Sequence, residues 1–152
     1  MKLILISYFY SFKSIVMKKT IMITGATSGF GLATANLFSS KGYRVIITGR
    51  RGDRLKELSD KLKAEGGEVL ALNFDVRSRK EVENRIKNLP PEWKNIDILV
   101  NNAGLAAGLS HIENGDIDDW DQMIDTNLKG LLYVTRAVGP MMCARNSGHI
   151  IN

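Results

Sequence analysis

The sequence contains little that could crosslink, ligate a metal or span a bilayer. Its single cysteine, Cys143, excludes an internal disulfide. Cys143 sits in a helical pattern with no histidine neighbour, which reads as a packing residue rather than a nucleophile. His111 and His149 are too few and too isolated for a metal site. The basic excess is modest, +5, and is scattered over helical faces without any block of like charge. No basic patch is interleaved with aromatics, so a nucleic-acid partner is not expected. The apolar stretches Leu3-Ile4-Leu5-Ile6 and Tyr8-Phe9-Tyr10 fall far short of the roughly 20 residues a membrane span requires. After the lone Lys2 they faintly resemble a secretory signal, but no small-x-small cleavage site follows. Residues 1–17 are expected to be an extension without function, with a weak membrane-surface anchor as the alternative. The chain is expected to be cytoplasmic.

What is present is an alternation of apolar runs and amphipathic segments with short links. Strands are expected at Thr20–Thr24, Arg44–Thr48, Glu68–Asn73 and Ile96–Val100, with a fifth opening at His149-Ile150-Ile151. Phe30–Lys41 reads as a helix with Leu32, Ala33 and Leu37 on its inner face, stopped by Gly42. Asp53–Ala64 reads as a second helix, with Leu55, Leu58 and Leu62 facing inward. Ser78 with Glu81 forms a capping box for a third helix that buries Val82, Ile86 and Leu89 and ends at Pro90-Pro91. Asp118–Asn127 and Leu128–Arg145 are also helical. On the last of these, Leu131, Val134, Val138 and Met141 form one apolar face and Leu132 and Ala137 another. This order predicts a doubly wound parallel α/β sheet with right-handed crossovers, spanning residues 18–152, whose strands in a Rossmann-type fold would run in the order 3-2-1-4-5.

Two motifs carry the chemistry. Thr24-Gly25-Ala26-Thr27-Ser28-Gly29-Phe30-Gly31 lies between the first strand and first helix, where backbone N–H groups and a helix N-terminus can meet a phosphate. Gly25 permits the tight exit from the strand, Gly29 leaves space for a pyrophosphate, and Gly31 allows the helix to approach the sheet. Asn101-Asn102-Ala103-Gly104 follows the fourth strand, at the carboxyl end where open α/β sheets bind ligands. At the end of the second strand, where an acid would hold a ribose 2′-hydroxyl, stand Arg50 and Arg51. A guanidinium there would pair with a 2′-phosphate and so favours NADP, Arg50 being the first choice. The alternative is a pair of solvated arginines before a helix. Thr27 or Ser28 could add a hydroxyl contact. Asn127 recurs with Trp120, Met123, Ile124 and Leu128 at helical spacing, which places a polar amide on an apolar face.

Thr-Gly-x-x-x-Gly-x-Gly followed by Asn-Asn-Ala-Gly at this distance resembles the short-chain dehydrogenase/reductase family, from about Lys18 to Asn152. The Gly-Phe-Gly end of the loop (Phe30 included), Thr48-Gly49-Arg50-Arg51 and the stretch Leu89 to Ala106 are similar to the NADP-dependent 3-hydroxy acid dehydrogenases, which act on serine-type substrates. The resemblance implies that Asp75 contacts the adenine amino group and that Val76 lines the same pocket. An N-terminal helix acid before Ser78 is the other reading of Asp75. The resemblance also implies that Asn102 steadies the central strands, that Ala103 and Gly104 leave room for the ribose, and that Asn127 belongs to the Asn-Ser-Tyr-Lys catalytic group. A core hydrogen bond at a helix junction is the other reading of Asn127. The expected Ser and Tyr-x-x-x-Lys do not occur in the 152 residues, and none of Tyr8, Tyr10, Tyr43 or Tyr133 has a lysine four residues on. The chain is therefore expected to be an inactive fragment of a hydroxy acid oxidoreductase, or else a non-catalytic nucleotide-binding half-domain. Family members also lead to the expectation of a homodimeric or homotetrameric parent joined through the Leu128–Arg145 helix.

Overall fold

The computed structural model describes residues 18–152, so the expectation for residues 1–17 lies outside the described residues. Five parallel strands form one sheet: β1 (Thr20–Ile23), β2 (Arg44–Gly49), β3 (Glu68–Asn73), β4 (Ile98–Val100) and β5 (His149–Ile151). Their spatial order is β3-β2-β1-β4-β5, the order expected of the Rossmann type. β1 leads to β2 on one side, whereas β3 crosses over to β4 on the other. The strand order therefore reverses between β1 and β4, and the crevice at their carboxyl ends is where this architecture binds ligands.

Strand alternation divides the core into two layers. Ile21 and Ile23 of β1, with Val45 and Ile47 of β2, pack under α1 (Gly29–Ser40) and α2 (Gly52–Ala64) through Ala35, Leu55, Leu58 and Leu62. Met22, Ile46 and Leu99 face the other way, against Val82 and Ile86 of α3 (Arg79–Lys87) and Val134, Val138 and Met142 of α5 (Leu131–Cys143). The inner faces expected for α2 and α3 are the ones observed. That of α1 is not: Ala33 and Leu37 are exposed and Gly31 and Ala35 are buried. The glycine loop sets the rotation of α1, because Gly31 lies against the Gly25 carbonyl and the Asn102 side chain, and the rest of the helix follows in phase.

A continuous helical stretch links β4 to β5: α4 (Ile117–Ile124), a π turn over Asp125–Gly130, and then α5. Gly130 lets this stretch settle on Val76, since a Cβ there would lie 2.7 Å from Val76 Cγ2. Met142 rather than Met141 completes the buried face of α5. Cys143, expected to pack, is exposed, because it follows Met142 by one residue and points about 100° away around the helix. At the opposite end of the sheet, the Arg44 guanidinium lies 4.3 Å from the Trp93 ring, and Asp97 Oδ2 accepts from Thr20 N–H at 2.7 Å. Among the described residues no helix is long and apolar enough to cross a membrane.

Replacing Gly31 with Ala is expected to lower stability by about 1–3 kcal/mol, as overpacking does. The new Cβ would stand 2.5 Å from the Gly25 carbonyl oxygen. Equilibrium urea unfolding checks this, and an unchanged midpoint would contradict the close approach.

Candidate functional site

A cleft of about 570 Å³ opens at the carboxyl ends of the strands. Of the expected site residues, Gly25, Thr27, Ser28, Gly29, Arg50, Arg51, Val76, Asn102, Ala103 and Gly104 line it. Gly49, Phe74 and Thr126 line it too. Sequence reasoning missed these three, although each immediately precedes an expected residue: Arg50, Asp75 and Asn127. Phe30, Gly31, Asp75 and Asn127 are not in its wall. Phe30 points outward, 87% exposed, and Gly31 serves helix packing.

The two motifs meet at the base of the cleft. Asn102 Nδ2 donates to the carbonyls of Thr24 at 2.9 Å and Gly25 at 3.1 Å. Thr24 Oγ1 accepts from Ala103 N–H at 2.9 Å, and Thr24 N–H donates to the Val100 carbonyl at 3.0 Å. Gly25 holds φ +66°, and a Cβ on it would lie 2.8 Å from Ala103 Cα, so both conformation and space require glycine. Gly29 also has positive φ, +55°, but with nothing within 4 Å of a Cβ position; its surroundings are open for a ligand.

The first turn of α1 has no side-chain cap. Ser28 occupies the N-cap position, yet its hydroxyl accepts from Arg51 Nη2 at 2.8 Å instead of from a helix N–H. Arg51 also donates Nε and Nη2 to Thr27 Oγ1, at 3.2 and 2.7 Å. The N–H groups at the helix start, with the positive end of its dipole, are thus left facing the cleft. Arg50 is placed differently. Its guanidinium makes no hydrogen bond among the described residues, and its nearest charged partner is Asp75 Oδ2 at 3.8 Å.

Asp75 sits behind this wall and is held by Arg77. Oδ1 accepts from Arg77 N–H and Nε at 3.0 and 3.1 Å; Oδ2 accepts from Nε and Nη2 at 3.0 and 2.6 Å. Partial burial pushes the Asp75 carboxyl up, but the Arg77 hydrogen bonds and the charges of Arg77 and Arg50 outweigh it and hold the group below the ordinary aspartate range. The capping box is only half as expected. Ser78 Oγ accepts from Glu81 N–H at 3.4 Å, but Glu81 Oε2 accepts from Asp75 N–H at 3.1 Å, not from Ser78.

Asn127 is exposed rather than set on a buried face. The π turn offsets the helix here, so Thr126 and Gly130 turn inward and Asn127 is left at the rim. Its side chain forms a two-point clamp on the backbone of Leu105, accepting from Leu105 N–H at 2.9 Å and donating to the Leu105 carbonyl at 2.8 Å. Gly104 leaves space for that reach, since its Cβ position is 3.3 Å from Asn127 Oδ1. The amide thus fixes the chain as it leaves β4. Trp93 packs against the core and Trp120 against Gly115, as packing residues would.

A doubly wound parallel sheet with a glycine loop at its switch point and an uncapped helix facing the cleft defines a dinucleotide-binding α/β protein. Residues 19–152 match the short chain dehydrogenase family, and the chain belongs to that family. It is 52% identical over 132 residues to the NADP-dependent 3-hydroxy acid dehydrogenase YdfG of Shigella flexneri, covering 87% of this chain and 52% of the relative. It is 45% identical over 136 residues to the serine 3-dehydrogenase of Rhizobium radiobacter, covering 90% and 53%. Among solved structures, the closed form of serine dehydrogenase complexed with NADP+ matches with a TM-score of 0.84 at 51% identity, covering 88% of this chain and 52% of that one. The chain spans about half the length of the curated relatives it matches.

The depressed Asp75 carboxyl ties stability to pH. A group whose pKa falls on folding contributes stability that is fully present above the unfolded aspartate value near ~4 and is lost as pH falls through the lower folded value. Asp75→Asn is therefore expected to destabilise the protein at neutral pH, with the difference from wild type shrinking as pH falls below that range. Urea midpoints measured across pH check this; a gap that stays constant into acid would overturn the assignment.

Proposed function

We propose that residues 18–152 form the part of an NADP-dependent oxidoreductase that holds the adenosine and pyrophosphate, and that the whole protein acts on the CH–OH group of a small hydroxy acid or hydroxy amino acid. The observation that carries this reading is Arg50: a guanidinium at the end of β2, lining the cleft, without a hydrogen bond among the described residues. A guanidinium there suits a 2′-phosphate, which an acid at this position would repel. The glycine loop fits the pyrophosphate through the open side of Gly29 and the uncapped start of α1. Thr27, Ser28 and Arg51 border the same region. Val76 would line the adenine pocket, and Ala103 and Gly104 would leave room for the ribose. Asp75, behind the wall and held by Arg77, would accept from the adenine amino group through a remaining carboxylate lone pair. NADP+ would accept the hydride from the alcohol carbon, and NADPH would deliver it to the carbonyl carbon in the reverse direction. The YdfG and serine 3-dehydrogenase relatives support the cofactor and the substrate class.

Asn127 is proposed to serve the catalytic centre from its clamp on Leu105, by fixing the β4 exit beside the cleft. The general acid–base pair is not among these residues, since no tyrosine here has a lysine four positions on. General acid–base groups contribute ~10²–10⁴-fold to rate, so this chain by itself is expected to bind NADP weakly at most and to show no turnover. The parent is proposed to be a homodimer or homotetramer through the Leu128–Arg145 helix, which leaves Leu128 and Leu132 exposed.

Two measurements test the proposal. Arg50→Asp is expected to weaken NADP binding to the full-length parent by about 1.5–3 kcal/mol, the range for hydrogen bonds to charged groups, and unchanged affinity in a titration would sink the cofactor assignment. The 152-residue chain, assayed by NADPH absorbance with serine, 3-hydroxypropionate and their aldehydes, is expected to stay at the blank rate. Turnover would show that the catalytic assignment is wrong.

A further inference from the structure

The Asp75 carboxylate lies between two guanidinium groups and is bonded to only one. Arg77 presents N–H groups to both of its oxygens, the shortest contact being 2.6 Å. Arg50 Nη1 is 3.8 Å from Oδ2, outside hydrogen-bond distance. The Arg77 grip is local, because it comes from two residues along the chain and includes the Arg77 backbone N–H.

We infer that Arg77 is a positioning residue for cofactor selection: by holding Asp75 it keeps Arg50 available to a 2′-phosphate. The inference rests on the NADP reading above. Without Arg77, a partly buried carboxylate would be left with unsatisfied oxygens, and Arg50 is the nearest side-chain cation to supply donors. Arg50 would then turn from the cleft onto Asp75. An Asp75 charge no longer compensated by Arg77 would also repel an incoming phosphate. Both effects act against a ligand with a 2′-phosphate and spare the same ligand without it.

The readout is therefore a ratio. The 152-residue chain is titrated with 2′,5′-ADP and with 5′-ADP by NMR, in wild type, Arg77→Ala, Arg77→Lys, Asp75→Asn and the Asp75→Asn/Arg77→Ala double variant. Wild type is expected to prefer 2′,5′-ADP. Arg77→Ala is expected to lose that preference by roughly tenfold or more, the scale of one hydrogen bond to a charged group. Arg77→Lys, which keeps the charge without the fork, should lose less. The double variant is expected to regain the preference, because no carboxylate remains to capture Arg50. A contact between Asp75 and adenine is common to both ligands and cancels in the ratio. A wild-type preference that survives Arg77→Ala, or is not regained in the double variant, overturns the inference alone. A wild type that binds without preference overturns the cofactor reading and the inference with it. Should Arg77→Ala fail to fold, Arg77→Gln gives the same comparison with the side-chain length kept.

Discussion

The site depends on one side-chain amide. Asn102, at the end of β4, donates to the Thr24 and Gly25 carbonyls at the end of β1 and so closes the sheet where its strand order reverses. Two backbone acceptors that the turn leaves outside the strand ladder are thereby satisfied by one group. The requirement for glycine at two loop positions follows. Gly25 meets Ala103 on one side, and Gly31 meets Asn102 and the Gly25 carbonyl on the other. The width of the crevice, the exit angle of the loop and the rotation of α1 are consequences of that contact, and the cleft inherits its shape from them.

The electrostatics of the cleft come from three arginines of one chemistry and three different duties. Arg51 braces the glycine loop through the Thr27 and Ser28 hydroxyls. Arg77 neutralises and holds Asp75. Arg50 is left in the wall with only a long ion pair. The loop follows the same pattern, since Arg51 engages the hydroxyl that would otherwise cap α1. Donors are thus concentrated and left unsaturated at the places where an anion would sit, at a cost met by hydrogen bonds formed just behind them.

Beyond β4 the chain is organised by the π turn. A regular helix from Ile117 to Cys143 would keep one apolar face throughout. The inserted turn directs Thr126 and Gly130 to the interior, leaves Ile124, Leu128 and Leu132 outside, and brings Asn127 over Leu105. An amide that periodicity assigns to a packed face becomes a clamp on a loop.

The sequence by itself determined the element order, the parallel sheet and the inner faces of α2 and α3, because each rests on local periodicity, on turn residues or on the rules that connect parallel strands; the strand order and the place of Asn102 beside the central strands were legible through the family resemblance of the two motifs. The position of Arg50 and Arg51 at the β2 terminus was equally legible, since a strand end is marked by where its apolar run stops. Only the tertiary structure decided which arginine is engaged by Thr27 and Ser28, that Arg77 takes Asp75, that Glu81 bonds to Asp75 rather than to its own helix cap, and that Thr126 reaches the cleft. It also decided the rotation of α1 and the exposure of Asn127 and Cys143. Those outcomes depend on close approaches between segments distant in sequence and on a single extra residue in a helical turn, and neither leaves a period in the chain to be read.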